Sequence, residues 1–182
     1  KIKKFDIDNK IDFTSAVNSS IYGITIADKN GKFIFVNDAT AKIYGYKNTK
    51  ELIGKHWKIL YEGKEMKRFL NDVSRELDSY GFWSGEAIGK RKDNSKFYQE
   101  LSLSRSKEGN TIRIVKDITL RKNFETALKE SELKYRTLID NLHECVFYVD
   151  NNGVMMYANK RTCEIFGYNL DELIGKSSYV LL

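Results

Sequence analysis

Proline is absent from all 182 residues, so nothing in this chain interrupts a strand ladder or breaks a helix the way a pyrrolidine ring does. Cysteine is scarce: Cys145 and Cys163 are the only two. They form no C-x-x-C pair and no cluster with histidine, which argues against structural zinc and for two buried free thiols in a reducing compartment. Histidine is limited to His56 and His143. No apolar run approaches the roughly 20 residues of a membrane helix, and no apolar signal core follows Lys1. These absences lead us to expect a cytoplasmic piece of a longer protein. A P-loop, a nucleophile–base pair and a paired-carboxylate pocket are missing too, so no catalysis is expected of this segment.

What is present is moderately basic. The 31 lysines and arginines exceed the 25 acidic residues, giving a net charge of +6. The cations are spread out. The densest run, Gly89-Lys90-Arg91-Lys92-Asp93-Asn94-Ser95-Lys96, reads as a solvated hairpin tip, and no helix-turn-helix or zinc-finger pattern accompanies it. Neither nucleic acid nor membrane is an expected partner.

The most informative feature is a repeat. Asp28-Lys29-Asn30-Gly31, Asn37, Gly45-Tyr46 and Glu51-Leu52-Ile53-Gly54-Lys55 return as Asp150-Asn151-Asn152-Gly153, Asn159, Gly167-Tyr168 and Glu172-Leu173-Ile174-Gly175-Lys176, at an offset of 122 residues falling to 121. A period this long marks two copies of one module and not a solenoid. The second copy stops at Leu182, where the first has more than half its length still to run.

Within the first copy, residues 21–27 and 33–36 read as a hairpin about the Asp28-Lys29-Asn30-Gly31 turn. Asn37 or Asp38 can cap a helix ending near Gly45. A longer helix is expected over residues 65–79, with Met66, Phe69, Leu70, Val73 and Leu77 on one face. Three strands follow, over residues 82–90, 96–104 and 111–116. The middle one alternates Phe97, Gln99, Leu101 and Leu103 against Tyr98, Glu100, Ser102 and Ser104. From Thr119 the period becomes helical, and Leu120, Phe124, Leu128, Tyr135, Leu138 and Leu142 form one apolar seam. A lone helix must hide such a seam, against a second copy of itself or against its own domain.

This order of elements resembles the PAS family. The residues that carry the likeness are Asp28, Asn30-Gly31, Val36-Asn37, Ala39, Ile43-Tyr44-Gly45-Tyr46, Leu52-Ile53-Gly54-Lys55 and Gly81-Phe82-Trp83-Ser84-Gly85-Glu86. Arg91-Lys92-Asp93-Asn94 is similar to the family's RKDG turn, and Asp117-Ile118-Thr119 with Arg121-Lys122 to its closing DIT motif. The resemblance implies an α+β fold: a five-stranded antiparallel sheet in the order 2-1-5-4-3 with helices on one face, then a linker helix and a partial second PAS domain. The expected layout is a leading helix over 1–15, a PAS domain over 16–119, a signalling linker helix over 120–138 and the start of a second PAS domain over 139–182.

The resemblance further implies a sensory or relay module of a larger signalling protein, pointing to a sensor histidine kinase. A change in the core would pass to the linker through Asp117, Thr119 and Arg121. Thr119 is expected to cap the linker, and Arg121 or Lys122 to pair with Asp117. A homodimer through the leading and linker helices, and a downstream transmitter domain, are the implied partners. A ligand-free dimerisation scaffold, and the input region of a transcription regulator or cyclic-dinucleotide enzyme, are the competing readings.

If the inner face of the sheet encloses a pocket, as in many PAS domains, Ile26, Phe35, Ile43, Phe69, Trp83, Ala87, Gln99, Leu101 and Ile114 are expected to line it. Gly85, Ala87 and Gly89 leave room above the sheet, for a ligand or for a closely packed helix. Buried Gln99 needs a partner, whether ligand, backbone or water. The family's flavin-adduct cysteine has no counterpart here, and the long helix lacks the histidine that haem-binding members use. Covalent flavin and haem are therefore disfavoured, leaving a small metabolite or no ligand. His56 reads as a solvated or capping residue, as does His143.

Overall fold

The computed structural model describes residues 15–181. The expected leading helix falls almost wholly outside them, although residues 15–18 are helical. Two compact units are present, one up to Lys122 and one from Asn123.

The first unit is built on β1 (Gly23–Ala27), β2 (Phe33–Val36), β3 (Phe82–Lys90), β4 (Lys96–Arg105) and β5 (Thr111–Asp117). They form one antiparallel sheet in the order β2-β1-β5-β4-β3, the arrangement the family resemblance implied. Helix α1 (Asp38–Ile43) follows β2. The expected longer helix is three segments: α2 (Gly63–Arg68), a π-helical turn (Phe69–Val73) and α3 (Ser74–Tyr80). Gly81, at φ 71°, ends α3 in the left-handed conformation that glycine adopts without strain.

One sheet face is the core. In β4, Phe97, Gln99, Leu101 and Leu103 are buried and their neighbours are not. The 106–110 turn sets the β4–β5 register, which pairs Leu103 with Arg113 and Leu101 with Val115. β1 then pairs Thr25 with Arg113 and Gly23 with Val115. The inner row across the sheet is therefore Val36, Thr25, Arg113, Leu103 and Trp83. Tyr44, Leu52, Leu60, Phe69, Val73 and Leu77 close over it.

The room left by the small residues of β3 is taken up by neighbouring side chains. A Cβ at Gly85 would lie 2.9 Å from the Trp83 ring, and one at Gly89 2.5 Å from the Phe97 ring.

Helix α4 (Thr119–Asp140) carries no buried residue, and its seam residues Leu120, Phe124, Leu128, Tyr135 and Leu138 are all exposed. At 1.5 Å per residue its 22 residues make a rod of about 33 Å. Among the described residues no helix is long and apolar enough to cross a membrane.

The second unit holds the hairpin of β6 (Phe147–Val149) and β7 (Met155–Ala158), α5 (Lys160–Phe166) and α6 (Leu170–Leu173). Its core is small: Met155, Ala158 and Leu173, with Cys163 and Tyr168 against them. β6 has β7 as its partner in a two-stranded sheet. Both cysteines are half-buried, not fully buried as expected.

Candidate functional site

The two copies of the repeat share one device. Asn37, fully buried, accepts from the Ile24 and Thr40 amides through Oδ1 and donates through Nδ2 to the carbonyls of Val17 and Tyr22. Asn159 repeats the pattern with Val146 and Thr162 on one side and Ile139 and Glu144 on the other. One side chain thus caps a helix, pins the first strand and holds the carbonyl of the residue where the incoming chain arrives. Both amides are fully used, which buried polar groups require.

A polar cluster lies inside the first core. Gln99 is fully buried and its Oε1 accepts from the Tyr44 hydroxyl and, at 3.0 Å, from Arg113 Nη2. Its Nε2 donates to Tyr61 at 3.3 Å. Arg113 Nη2 also donates to the hydroxyls of Tyr44 and Tyr61. The Arg113 guanidinium stands 5.0 Å from the Tyr44 ring centre and 5.7 Å from that of Tyr61. Burial pushes the phenol of Tyr44 well above its ordinary range and raises that of Tyr61, although Arg113 pulls the other way. Burial opposes the Arg113 charge, but the two tyrosine oxygens outweigh it and hold its pKa above the ordinary value. Gln99 therefore finds its partners in the protein.

Beside this cluster is a cavity of about 290 Å³. Thr25, Phe33, Trp57, Tyr61, Phe69, Val73, Leu77, Leu103 and Arg113 form its walls, and Lys29, Asn30, Lys58 and Leu70 its exposed rim. The π-helical turn supplies Phe69 and Val73, and such turns recur at functional sites. His56 caps the 3-10 turn Trp57–Leu60, its Nδ1 accepting from the Lys58 amide at 3.2 Å. Burial lowers its pKa, helped by Lys58. Gly31, at φ 76°, passes so close that a Cβ would lie 2.8 Å from His56 and Trp57.

Of the nine residues expected to line a pocket, Phe69 does so. Trp83, Ala87, Gln99 and Leu101 are buried in the core but do not line the cavity, and Ile43 packs half-buried against that core. Ile26, Phe35 and Ile114 are a correction. They sit on the outer face, where Ile26 pairs with Phe35 and Ile114 is 43% exposed. The inner positions beside them belong to Thr25 and Arg113, which hydrophobicity does not favour. The turn register could have found Arg113, since it places that residue opposite the inward-facing Leu103.

At the far end of β5, Asp117 Oδ2 pairs with Arg91 Nη2 at 2.8 Å, and its Oδ1 accepts from the Thr119 amide at 2.9 Å. Burial raises the Asp117 carboxyl, but these hydrogen bonds outweigh it and hold the pKa below the ordinary range. The cap of α4 is thus Asp117. The Thr119 hydroxyl plays a different part, accepting from the Tyr98 amide at 3.0 Å and so tying the helix start to β4. Arg121 and Lys122 reach Glu86, at 2.9 and 2.6 Å, where Asp117 was expected. The partner of Asp117 is instead Arg91, which lies in a turn where the sequence offers no sign of it. Arg91 also donates to the Ile43 carbonyl and covers the Phe97 ring at 4.1 Å. The adjacent Lys92 amide donates to the Tyr44 carbonyl at 2.9 Å. Contacts therefore run from Arg113 to Tyr44, pass along the backbone to Ile43 and across the Tyr44–Lys92 hydrogen bond to Arg91, and continue through Arg91 to Asp117 and the first turn of α4.

The helical segment 63–80 contains no histidine. Among the described residues, no cluster of three histidine, cysteine or acidic side chains is placed to hold a metal.

Comparison with known proteins gives the family. The family model described as a PAS domain matches residues 21–120, and that described as the PAS fold matches residues 133–182. The Oxygen sensor protein DosP of Escherichia coli is 27% identical over all of this chain and 23% of its own length. Sporulation kinase E of Bacillus subtilis is 25% identical over 96% of this chain and 23% of its own. The chain therefore spans about a quarter of the length of the curated relatives it matches. Among solved structures, a PAS domain from Colwellia psychrerythraea superposes with a TM-score of 0.56 at 21% identity, covering 62% of this chain and 98% of that one.

Proposed function

This chain is a member of the PAS family, and from that premise we propose that it is a sensory relay module of a larger signal-transduction protein, most simply a sensor histidine kinase. In this reading residues 16–119 sense, 120–138 transmit and 139–182 begin a second module. A change around the cavity alters Arg113 and Tyr44, moves Arg91, and thereby resets the angle at which α4 leaves β5. The contact set from Arg113 to Thr119 is the observation that carries this reading. The relation to Sporulation kinase E supports a transmitter domain in the whole protein. The exposed seam of α4 supports a homodimer in which two such helices pair, since five large apolar residues in one stripe are poorly tolerated in water.

The test is the output of the intact protein. Asp117→Ala is expected to change autophosphorylation several-fold while leaving the cavity intact. Unchanged output with the first unit still folded would overturn the relay reading.

A further inference from the structure

We propose that the cavity of the first unit binds a small carboxylate with an apolar body, its carboxylate group seated against Arg113 and Thr25. The proposal rests on the sensory reading and names the ligand class of that same site.

Thr25 and Arg113 are direct partners across β1 and β5, so their side chains stand side by side on the inner face. They are 1% and 5% exposed, and both line the cavity. Among the described residues, Thr25 Oγ1 and Arg113 Nε and Nη1 have no hydrogen-bond partner. Nor does any carboxylate among those residues form an ion pair with Arg113; its contacts are the neutral oxygens of Tyr44, Tyr61 and Gln99, all on Nη2.

A guanidinium stays charged in a protein, and a buried charge without a counter-charge is costly. The protein supplies oxygens on one side of this group, leaving one negative charge and acceptors for Nε and Nη1 to be supplied. A carboxylate brings both, in the planar geometry that guanidinium groups match. The Thr25 hydroxyl can donate to it as well.

The remaining walls define the rest of the ligand. Phe33, Trp57, Phe69, Val73, Leu77 and Leu103 offer hydrocarbon, which favours an apolar body and leaves inorganic phosphate without partners for most of the surface. At about 30 Å³ per water-sized group, the 290 Å³ space holds about ten non-hydrogen atoms. That suits an aromatic or short-chain acid. The charged groups around the opening are Lys29 and Lys58 against Asp28, with Arg105 already paired to Asp78 at 2.6 Å. Asp28 Oδ1 is already engaged by the Asn30 and Lys32 amides. This balance draws anions toward the mouth.

The test is calorimetric titration of the whole chain with benzoate and hexanoate, beside benzyl alcohol, 1-hexanol and inorganic phosphate. The expected result is saturable binding of the carboxylates, at least tenfold tighter than the matching alcohols, and none of phosphate. Arg113→Met should bring the carboxylates to the affinity of the alcohols. Thr25→Val, a substitution of nearly equal shape, should weaken the carboxylates two- to fivefold and leave the alcohols unchanged. No saturable carboxylate binding, alcohols binding as tightly, or a preference that survives Arg113→Met would each overturn the proposal. Should Arg113→Met fail to fold, the comparison within the native chain and Thr25→Val decide. Amide exchange in the first turn of α4, recorded on the same samples, separates the two readings. Carboxylate binding that leaves α4 unchanged refutes the relay and not the ligand class. An α4 that responds to Asp117→Ala in a chain binding no carboxylate refutes the ligand class and not the relay.

Discussion

Replacing Asp117 separates two roles that one carboxylate fills. Its Oδ1 caps α4 by accepting from the Thr119 amide, and its Oδ2 pairs with Arg91. Loss of a helix cap costs about 1 kcal/mol. The ion pair lies between side chains 25% and 32% exposed, so solvent screening brings its contribution down to about 1 kcal/mol. Asp117→Ala removes both, about 2 kcal/mol. Asp117→Asn keeps an oxygen for Thr119 and loses about 1 kcal/mol. In a domain of this size each kcal/mol shifts the melting temperature by about 4–8 °C, so decreases near roughly 10 °C and 5 °C are expected. Both tryptophans, Trp57 and Trp83, pack in the first core, so tryptophan fluorescence during thermal unfolding reports this unit. Equal damage from the two variants, or an Asp117→Ala shift below about 2 °C, would refute the division of labour.

Asn37→Ala should destabilise the first unit by about 2–4 kcal/mol, because it leaves several buried backbone groups without partners; fluorescence melts check this. Asn159→Ala should unfold the second unit outright, given its small core, seen as loss of amide protection in β6 and β7. Gly31→Ala should cost about 1–3 kcal/mol through its positive φ and the contact with Trp57, again read by melting. At high pH the raised pKa values of Tyr44 and Tyr61 mean that the unfolded state loses protons first. Their contribution is intact below about pH 10 and is lost as pH rises above it. The phenolate absorbance of these two residues should therefore appear together with unfolding, and ionisation of all tyrosines in a still-folded chain would contradict the burial.

The strands were legible because turns and periodicity agree: Asp28 to Gly31, the alternation in β4 and the polar turn after Arg105 are local signals that place the strands and their hairpins, whereas the pairing of β1 with β5, and so the full strand order, was implied by the family resemblance. The faces of β1 and β5 were not legible from hydrophobicity. Both faces of those strands carry apolar residues, and the core side of β5 holds an arginine, so Ile26 and Ile114 looked inward when they face out. Only register resolves this, since counting back from the β4–β5 turn places Arg113 beside Leu103. The joint at Asp117 was visible as a motif, but its partner was not. Arg91 is 26 residues away in sequence, and nothing local distinguishes it from Arg121, which reaches Glu86. The π-helical turn at Phe69 was equally hidden, because a single inserted residue barely changes an amphipathic pattern.

The central claim is that Arg113 and Asp117 belong to one connected network running from the cavity to α4. A double-mutant cycle on Arg113→Met and Asp117→Ala, measured by denaturant unfolding of the first unit, tests it most directly. Independent sites add to within about 0.3–0.5 kcal/mol. The network predicts a coupling energy of about 1 kcal/mol; additive losses would contradict it.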